Sequence, residues 1–500
     1  MDRRRFLLVS GAAALAGCGA DPPAAQTGDV PSGDASSGDV PPGDALDASS
    51  DGFSDERPPL DDLPALDDVP AVDAFRDASV DAISDVGASP SLLTEDLSAF
   101  PLAVMSGEMT PDAAVLWTRF AAAGTLSLRV YEGSADRLVS ERAVTPADGG
   151  FVHATVTGLR PATAYRFAFV RRDGDRDVSR STIGRFRTAP ADDATPVVTF
   201  AGTSCTHQRG RPFPAMRHAA GRDLEFFVHA GDLTYCDGAR SLDDYREKYA
   251  ENLTSEGLRA LFASTGLFAT WDDHEVDNNF NPETTSATTL ANARAAYFEH
   301  HPQLRNTAAP DRIWRSFRWG RTLELFILDC RSERLPSSRQ RPDAQYISRA
   351  QMDWLKAGLS ASRAVFKLIV NSVPIANFPL LFDFGAADRW EGYAAQRTEI
   401  LSHITRNAIA DVWWLSGDFH LGCVGRVESS GEYSRMREVL MGPGGNTGNP
   451  LYTSLLGDQW EFKTPESNYT VFRCDPAARA VTVSVVNGDG RELFSRRYAP

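Results

Sequence analysis

The sequence TWDDHEVDNN, residues 270–279, begins where the apolar segment GLFAT ends. It places four carboxylates, one histidine and two asparagines within ten residues. Oxygen ligands of these kinds suit hard cations, and a histidine among them is a candidate proton donor. The apolar segment before them is typical of a buried strand. The stretch therefore predicts a metal-binding cluster at the end of a strand.

Six apolar segments after residue 196 share this property, because each runs into residues that can bind a metal or move a proton. In chain order, these residues are Cys205, Asp232, Asp272 with Asp273 and His274, Asp329, Asn371, and Asp418 with His420. Ligand sites in open α/β sheets gather at the carboxyl ends of the strands. One such ending would mean little, since Asp and Asn end strands anyway, but six of them indicate one convergent site.

Two short motifs carry candidate metal ligands. GDLTY places Asp232 and Tyr235 in the loop after a strand. A carboxylate there can bridge two cations, and a tyrosine oxygen is a hard anionic ligand; a packed loop aromatic is the alternative for Tyr235. SGDFH places Asp418 and His420 two residues apart, so both point to the same face of an extended segment. All four residues are predicted to bind metal.

Three further segments complete the predicted site. Adjacent Asp272 and Asp273 point to opposite sides, so we expect one of them to bind metal while the other steadies a loop or an arginine. His274 is expected to orient phosphate or to donate a proton to the leaving oxygen. Asn371 offers a neutral oxygen ligand or caps a strand end. Cys205 is either a thiolate ligand, which suits iron or zinc, or a buried structural cysteine.

The segment DCRSER supplies Arg331, which we predict to be a catalytic residue that stabilises charge on the phosphoryl oxygens. A guanidinium fork matches the geometry of phosphate oxygens. The alternative is a surface salt bridge.

The first eighteen residues are predicted to be an export signal. Three arginines at positions 3–5 precede a short apolar stretch and the sequence LAGC, which ends at Cys18. The apolar stretch is too short to span a bilayer, and this order is typical of a signal rather than of a buried helix. RRRFL resembles a twin-arginine signal and LAGC a lipoprotein cleavage box. Together they predict a lipid-anchored protein, periplasmic or at the cell surface, with the lipid on Cys18.

Residues 19–94 are predicted to be a disordered linker. Residues 20–90 contain sixteen aspartates, one glutamate and two arginines, which gives this segment a net charge of −15. The net charge of the whole chain is −16. This composition, rich in Ala, Pro, Ser and Gly, does not bury enough apolar area to fold, and its charges repel one another. This composition and charge therefore predict that the segment is a stretched spacer. Residues 91–500 carry a net charge of only −3, without a basic excess that would indicate nucleic-acid binding.

The body divides into two predicted domains. Residues 95–190 contain short β-rich segments separated by turns, which predicts a small fibronectin- or immunoglobulin-like sandwich. Residues 196–500 alternate apolar segments with polar, helix-compatible ones, which predicts an α/β catalytic domain. Export permits disulfides, and Cys236, Cys330, Cys423 and Cys474 allow three pairings.

At this point the chain resembles the PhoD-like family of alkaline phosphatases and phosphodiesterases, within the calcineurin-like metallophosphatases. The segments that carry the resemblance are SCTHQ, VHAGDLTY, LDDYREKY, TWDDHEVDNN, RIWRSFRWG, LDCRSER, NSVPI, DRWEGY and LSGDFH. It spans about residues 98–500, and MSGEMTPDAAVLWTRF and GLRPATAYRF resemble the N-terminal β-domain of the family. The resemblance implies a four-layer αββα core and a centre that holds iron with calcium, or two other metals.

The resemblance also implies roles for single residues. It favours Cys205 as a ligand, assigns the bridging role to Asp232, and makes His274 the proton donor or phosphate contact. The further ligand positions that it implies are Tyr235, Asp273, Asn371, Asp418 and His420. The implied activity is hydrolysis of phosphodiesters, phosphomonoesters or both by a monomeric exported enzyme. A catalytically silent surface lipoprotein that uses the same fold for binding is the alternative, and action on phospholipid head groups is a narrower third hypothesis.

Overall fold

The computed structural model describes residues 89–133, 137–378, 388–446, 448 and 450–499. The predicted signal at 1–18, with Cys18, and nearly all of the predicted linker at 19–94 lie outside these residues. Every described residue belongs to one compact unit. Among the helices of this part of the chain, none has the length and apolar character needed to cross a membrane.

The described residues form twenty-one strands. The first eleven are β1 (Met105–Gly107), β2 (Ala114–Arg119), β3 (Thr125–Glu132), β4 (Arg137–Val144), β5 (Phe151–Val156), β6 (Ala164–Asp173), β7 (Arg176–Arg180), β8 (Gly184–Arg187), β9 (Val198–Thr203), β10 (Phe227–Ala230) and β11 (Leu267–Thr270). The others are β12 (Arg315–Trp319), β13 (Leu323–Ile327), β14 (Phe366–Asn371), β15 (Val412–Ser416), β16 (Gly422–Arg426), β17 (Arg437–Leu440), β18 (Trp460–Thr464), β19 (Asn468–Asp475), β20 (Ala480–Asn487) and β21 (Glu492–Tyr498).

Seven α-helices connect or cover these strands. They are α1 (Pro214–Ala220), α2 (Leu242–Leu253), α3 (Glu256–Ser264), α4 (Ala287–His300), α5 (Arg349–Ala361), α6 (Ala394–Arg406) and α7 (Pro450–Leu455). Local sequence explains where several of them begin. Ser241 and Asp244 form a capping box at the start of α2, and serine side chains also cap α4 and α5.

Two mixed sheets position the candidate site. The nine-stranded sheet has the order β21-β20-β19-β9-β10-β11-β1-β2-β5, with β9, β10 and β11 parallel. The seven-stranded sheet has the order β12-β13-β14-β15-β17-β16-β18, with β13, β14, β15 and β17 parallel. Strands β10, β11, β13 and β15 are buried along their whole length and mostly apolar, as expected for strands covered on both faces.

The two sheets face each other through one hydrophobic core. Alternate residues of β10 and β14, such as Val228 and Leu368, point into this core. Their neighbours point the other way: Phe227 packs with α1–α4, and Ile369 packs with α5 and α6. Each sheet therefore carries helices on the face that is turned away from the other sheet.

The segment 95–190 contributes to two sheets. Strands β3, β4, β6, β7 and β8 form a five-stranded antiparallel sheet. Strands β1, β2 and β5 instead extend the nine-stranded sheet, because Gly107 of β1 pairs in parallel with Leu267 of β11. The predicted β character of this segment matches the observed strands, whereas its independence as a domain stays a prediction.

The cysteines of the described residues are all buried and free. Cys236, Cys330, Cys423 and Cys474 therefore form none of the three disulfide pairings that the sequence allowed. Cys330 makes a different contact, since its Sγ donates to Oδ1 of Asn371 at 2.9 Å.

Candidate metal centre

Four residues from three parts of the chain converge beside the ends of β9, β10 and β15. Sγ of Cys205 and Oη of Tyr235 each lie 3.4 Å from Oδ2 of Asp232. Oη of Tyr235 also lies 2.9 Å from Nε2 of His420, which comes from the other sheet. The ligand atoms of Cys205, Asp232 and His420 lie within 4.8 Å of one another. A thiol, a carboxylate, a phenol and an imidazole thus surround one point.

Two further groups of potential ligands adjoin this point. Asp232, Asp273 and His274 form one group, and Asp272, Asp273 and Asp418 form another, each with ligand atoms within 4.8 Å of one another. Asp232 therefore belongs to two groups, as does Asp273. Shared carboxylates of this kind are what two neighbouring cations require.

The backbone is strained where the candidate ligands stand. Cys205, Asp232, Asp418 and His420 have φ of 57°, 57°, 65° and 53°, in the left-handed region that residues with a side chain seldom adopt. Each follows a parallel strand closely, so the chain turns sharply and presents the side chain at the sheet edge. Strain of this kind concentrates at functional sites, where the surrounding structure holds it in place.

Glu275 supports the loop that carries Asp232. Its buried carboxylate accepts hydrogen bonds from the backbone N–H groups of Asp232 at 3.1 Å, Leu233 at 2.5 Å and Asp272 at 2.8 Å. Burial raises its pKa to about 7, against the lowering effect of these hydrogen bonds. The sequence left Glu275 without a role because its partners are backbone groups, which leave no mark on side-chain spacing.

His274 is held by Asp237, which sequence reasoning missed. Nδ1 of the imidazole lies 2.8 Å and 2.9 Å from the two oxygens of Asp237. The backbone N–H of Asn278 donates to the same carboxylate at 2.7 Å. The ring of His274 also lies 3.9 Å from that of Tyr235, centroid to centroid. Asp237 stands only two residues after Tyr235, so the sequence did contain the carboxylate.

Arg331 lies among the carboxylates of the candidate site, and its predicted catalytic role stays a prediction. Its side chain is fully buried and forms ion pairs with Asp272, Asp273, Asp388 and Asp418. The alternative of a surface salt bridge is wrong, because both partners in the pair with Asp272 are inaccessible. Asp272 thus steadies an arginine, one of the two alternatives that the sequence left open.

The side-chain oxygen of Asn371 accepts two hydrogen bonds. Oδ1 accepts from Sγ of Cys330 at 2.9 Å and from Nε1 of Trp390 at 3.1 Å. Its buried Nδ2 has no hydrogen-bond partner among the described residues. The side-chain oxygen is thus engaged by two donors, and the ligand role of Asn371 stays a prediction.

Burial shapes the protonation of the candidate ligands. It raises the pKa of Asp232 well above the usual value and also raises that of Asp418, with neighbouring carboxylates adding to both shifts. Burial lowers the pKa of His420 to about 4 and raises that of the Cys205 thiol. A neutral imidazole is ready to bind a metal, and a bound cation reverses the cost of ionising buried carboxylates and thiols. The donor set therefore fits a metal ion.

Comparison with known proteins agrees with this geometry. The sequence profile of PhoD-like phosphatases matches residues 200–450, and that of their N-terminal domain matches residues 88–190. The chain belongs to the PhoD-like phosphatase family. It is therefore a metal-dependent phosphoric ester hydrolase, which confirms the predicted family and enzyme class.

Individual members and structures support this assignment. Alkaline phosphatase D of Bacillus subtilis (strain 168) is 28% identical over 400 residues, which are 67% of this chain and 67% of that relative. A solved structure of PhoD superimposes with a TM-score of 0.68 at 23% identity, covering 81% of this chain and 90% of the other. A purple acid phosphatase from yellow lupin (Lupinus luteus) seeds gives 0.58 at 12% identity, with coverages of 80% and 75%. Both structural matches show a metallophosphatase-type fold.

Proposed function

We propose that this member of the PhoD-like phosphatase family is an exported enzyme that hydrolyses phosphodiesters, phosphomonoesters or both. The observation that carries the proposal is the convergence of Cys205, Asp232, Tyr235 and His420 on one point. Phosphate esters are dianionic or monoanionic, and a cluster that holds cations attracts and polarises them. A protein that used the same fold only for binding would not need this set of metal ligands.

The proposed metals are iron with calcium. Thiol and phenol donors at Cys205 and Tyr235 suit iron, whereas Asp232 and Asp273 offer the oxygens that calcium prefers. His420 completes the first donor set, and Asp418 adds an oxygen near Asp273. Metal ions bound there supply Lewis-acid polarisation of the phosphoryl group and activation of the attacking water.

The protein's own residues handle the proton and the orientation. Asp237 accepts from Nδ1 of His274, which fixes the ring and leaves Nε2 as the nitrogen that faces away from Asp237. We assign His274 the transfer of a proton to the leaving oxygen or a hydrogen bond to a phosphoryl oxygen. Glu275 keeps Asp232 in register by holding the backbone of its loop.

We infer a four-layer αββα core for residues 196–500, preceded by a small β-sandwich at 95–190. Packing of helices on the outer faces of two facing sheets supports the four layers. The five-stranded sheet and the separate N-terminal profile support the sandwich, although β1, β2 and β5 join the larger sheet.

Export and anchoring rest on the amino-terminal sequence. Positions 3–5 and the LAGC box support a twin-arginine lipoprotein signal, with Cys18 as the lipid-bearing residue. Several acyl chains on one cysteine would hold the protein at a membrane, periplasmic or at the cell surface. Cys18→Ala should release the protein into the soluble fraction of cells, and unchanged membrane association would refute the anchor.

One experiment tests the activity and the metals together. Wild type, Asp232→Ala and the control Asp243→Ala, which changes an exposed carboxylate in α2, are purified and their metals measured by elemental analysis. The same samples are assayed on p-nitrophenyl phosphate, bis-p-nitrophenyl phosphate and a phospholipid. We expect Asp232→Ala to lose metal and turnover while the control keeps both. Iron-loaded wild type without turnover of any ester would favour the catalytically silent lipoprotein instead.

A further inference from the structure

Arg331 is surrounded by carboxylates. Nε lies 2.5 Å from Oδ1 of Asp272, and Nη2 lies 2.8 Å from its Oδ2. Nη2 also lies 2.8 Å from Oδ1 of Asp418 and 3.3 Å from Oδ1 of Asp273. On the other side, Nη1 lies 2.5 Å from Oδ2 of Asp388. All three guanidinium nitrogens therefore face negative groups.

The guanidinium is a permanent charge in this position. Arg331 and Asp272 are inaccessible to solvent, and Asp273 is 2% exposed. Arginine does not lose its proton in proteins, and its planar fork pairs with carboxylates in a fixed geometry. Several buried carboxylates so close together would repel one another strongly without a cation among them.

The same three carboxylates form a group that matches a metal site. Asp272, Asp273 and Asp418 place ligand atoms within 4.8 Å of one another, and Arg331 contacts each of the three. We propose that the guanidinium of Arg331 is the resident cation of this group. It makes Arg331 a positioning residue that fixes Asp273 and Asp418, and the group is not a metal site of its own.

This role replaces the phosphate contact expected from the sequence. A phosphoryl oxygen would have to displace a carboxylate from a side chain that is fully buried. Arg331 instead joins the two sheets, since it follows β13 of one, while Asp272 and Asp273 follow β11 of the other. The ligand roles of Asp273 and Asp418 rest on the proposed function, whereas the ion pairs themselves do not.

The test removes the guanidinium and asks whether a cation takes its place. Full-length wild type, Arg331→Ser and Arg331→Lys are stripped with a chelator, and Ca²⁺ binding is measured by calorimetry and by thermal unfolding. Arg334→Ser is the matched control, because Arg334 is equally buried in the same segment and pairs with Asp388, yet contacts none of the three carboxylates.

We expect Arg331→Ser to bind one more Ca²⁺ per chain than wild type. Ca²⁺ should raise its unfolding temperature by about 6 °C or more beyond the rise in wild type, because the cation restores a lost buried partner. Arg331→Lys keeps the positive charge and should bind no additional Ca²⁺. Arg334→Ser should be destabilised equally with and without Ca²⁺.

Arg331→Ser with wild-type stoichiometry and no Ca²⁺-dependent stability would overturn the proposal. If that variant does not fold, Arg331→Lys decides through calorimetry with inorganic phosphate on the metal-loaded protein. Phosphate affinity within twofold of wild type supports the positioning role, and a loss of tenfold or more at unchanged metal content shows a substrate contact. The Ca²⁺ measurements use neither turnover nor phosphate binding, so a failure of the proposed enzymatic function would not affect them.

Discussion

Oη of Tyr235 lies 2.9 Å from Nε2 of His420, although the two residues are 185 positions apart and follow strands of different sheets. This contact joins the ligands that follow one sheet to those that follow the other. A residue on each side must therefore reach its final place before the donor set is complete.

Tyr235→Phe removes only this hydroxyl and keeps the ring contacts with His274 and His207. We expect metal affinity to fall at least about tenfold, because a donor and its hydrogen bond to Asp232 are lost together. Elemental analysis after dialysis measures this. Tyr249→Phe is the control, since the buried hydroxyl of Tyr249 has no hydrogen-bond partner among the described residues, and its metal content should not change. Equal metal content in both variants would argue against Tyr235 as a ligand.

Asp237→Asn should slow turnover without removing metal. The carboxylate of Asp237 is a charged acceptor for Nδ1 of His274, and the amide of asparagine is not. The imidazole ring therefore loses its fixed orientation. We expect kcat to fall roughly 10²-fold with KM changed little, the usual weight of one general acid. Asp277→Asn is the comparison, because that carboxylate pairs with Arg240 instead. An unaltered kcat in Asp237→Asn would separate His274 from the chemical step.

Gly231→Ala should damage the site, whereas Gly238→Ala should not. Both glycines have positive φ, +102° and +80°, so alanine costs about 1–2 kcal/mol at either position. Only at Gly231 does an added Cβ meet another loop, 2.6 Å from Cβ of Asp272. We expect Gly231→Ala alone to lose metal and turnover beyond its loss of stability. The two effects are measured by chemical denaturation and elemental analysis, and identical behaviour of the two variants would contradict the close approach.

Glu438 should make stability depend on pH. It is fully buried, accepts from Ser416 Oγ at 2.6 Å and from the backbone N–H groups of Ile375 and Ala376 at 2.8 Å, and burial raises its pKa to about 7. A carboxyl whose pKa is raised on folding stabilises the fold below its unfolded value, about 4.5, and this contribution is lost as pH rises through about 7.

The measurement compares wild type with Glu438→Gln by urea unfolding across this range. Glutamine does not ionise, so the stability of the variant relative to wild type should improve by ~3 kcal/mol between pH 4.5 and 7.5. A difference between the two proteins that stays constant with pH would mean that Glu438 has the same charge in the folded and unfolded states.

The ends of the strands could be predicted from the sequence, and most of the candidate ligands lie just after them. Cys205, Asp232 and His420 meet because parallel strands align their carboxyl ends, so residues placed just after such strands share an edge. The alternation of apolar and polar segments likewise indicated an α/β domain with buried strands. These features depend on short-range patterns that the sequence displays directly.

The partners of the site residues were not predictable in this way. Asp237 reaches His274 across 37 positions, and Asp388 lies 54 positions from Arg334. The sequence DCRSER does not show that tertiary packing buries Arg331 among carboxylates from three other segments. The side-chain oxygen of Asn371 accepts from Cys330, 41 positions away, and from Trp390, 19 positions away.

The left-handed backbone conformation also predicts which substitutions would remove this centre. It occurs at Cys205, Asp232, Asp418 and His420. Glycine adopts that conformation without steric cost, so glycine at any of the four would relieve on the order of 1 kcal/mol of local strain while deleting a donor. Laboratory evolution towards heat resistance alone would thus reward inactivation. In relatives that are no longer selected for turnover, we expect glycine to replace the ligands at these four positions first.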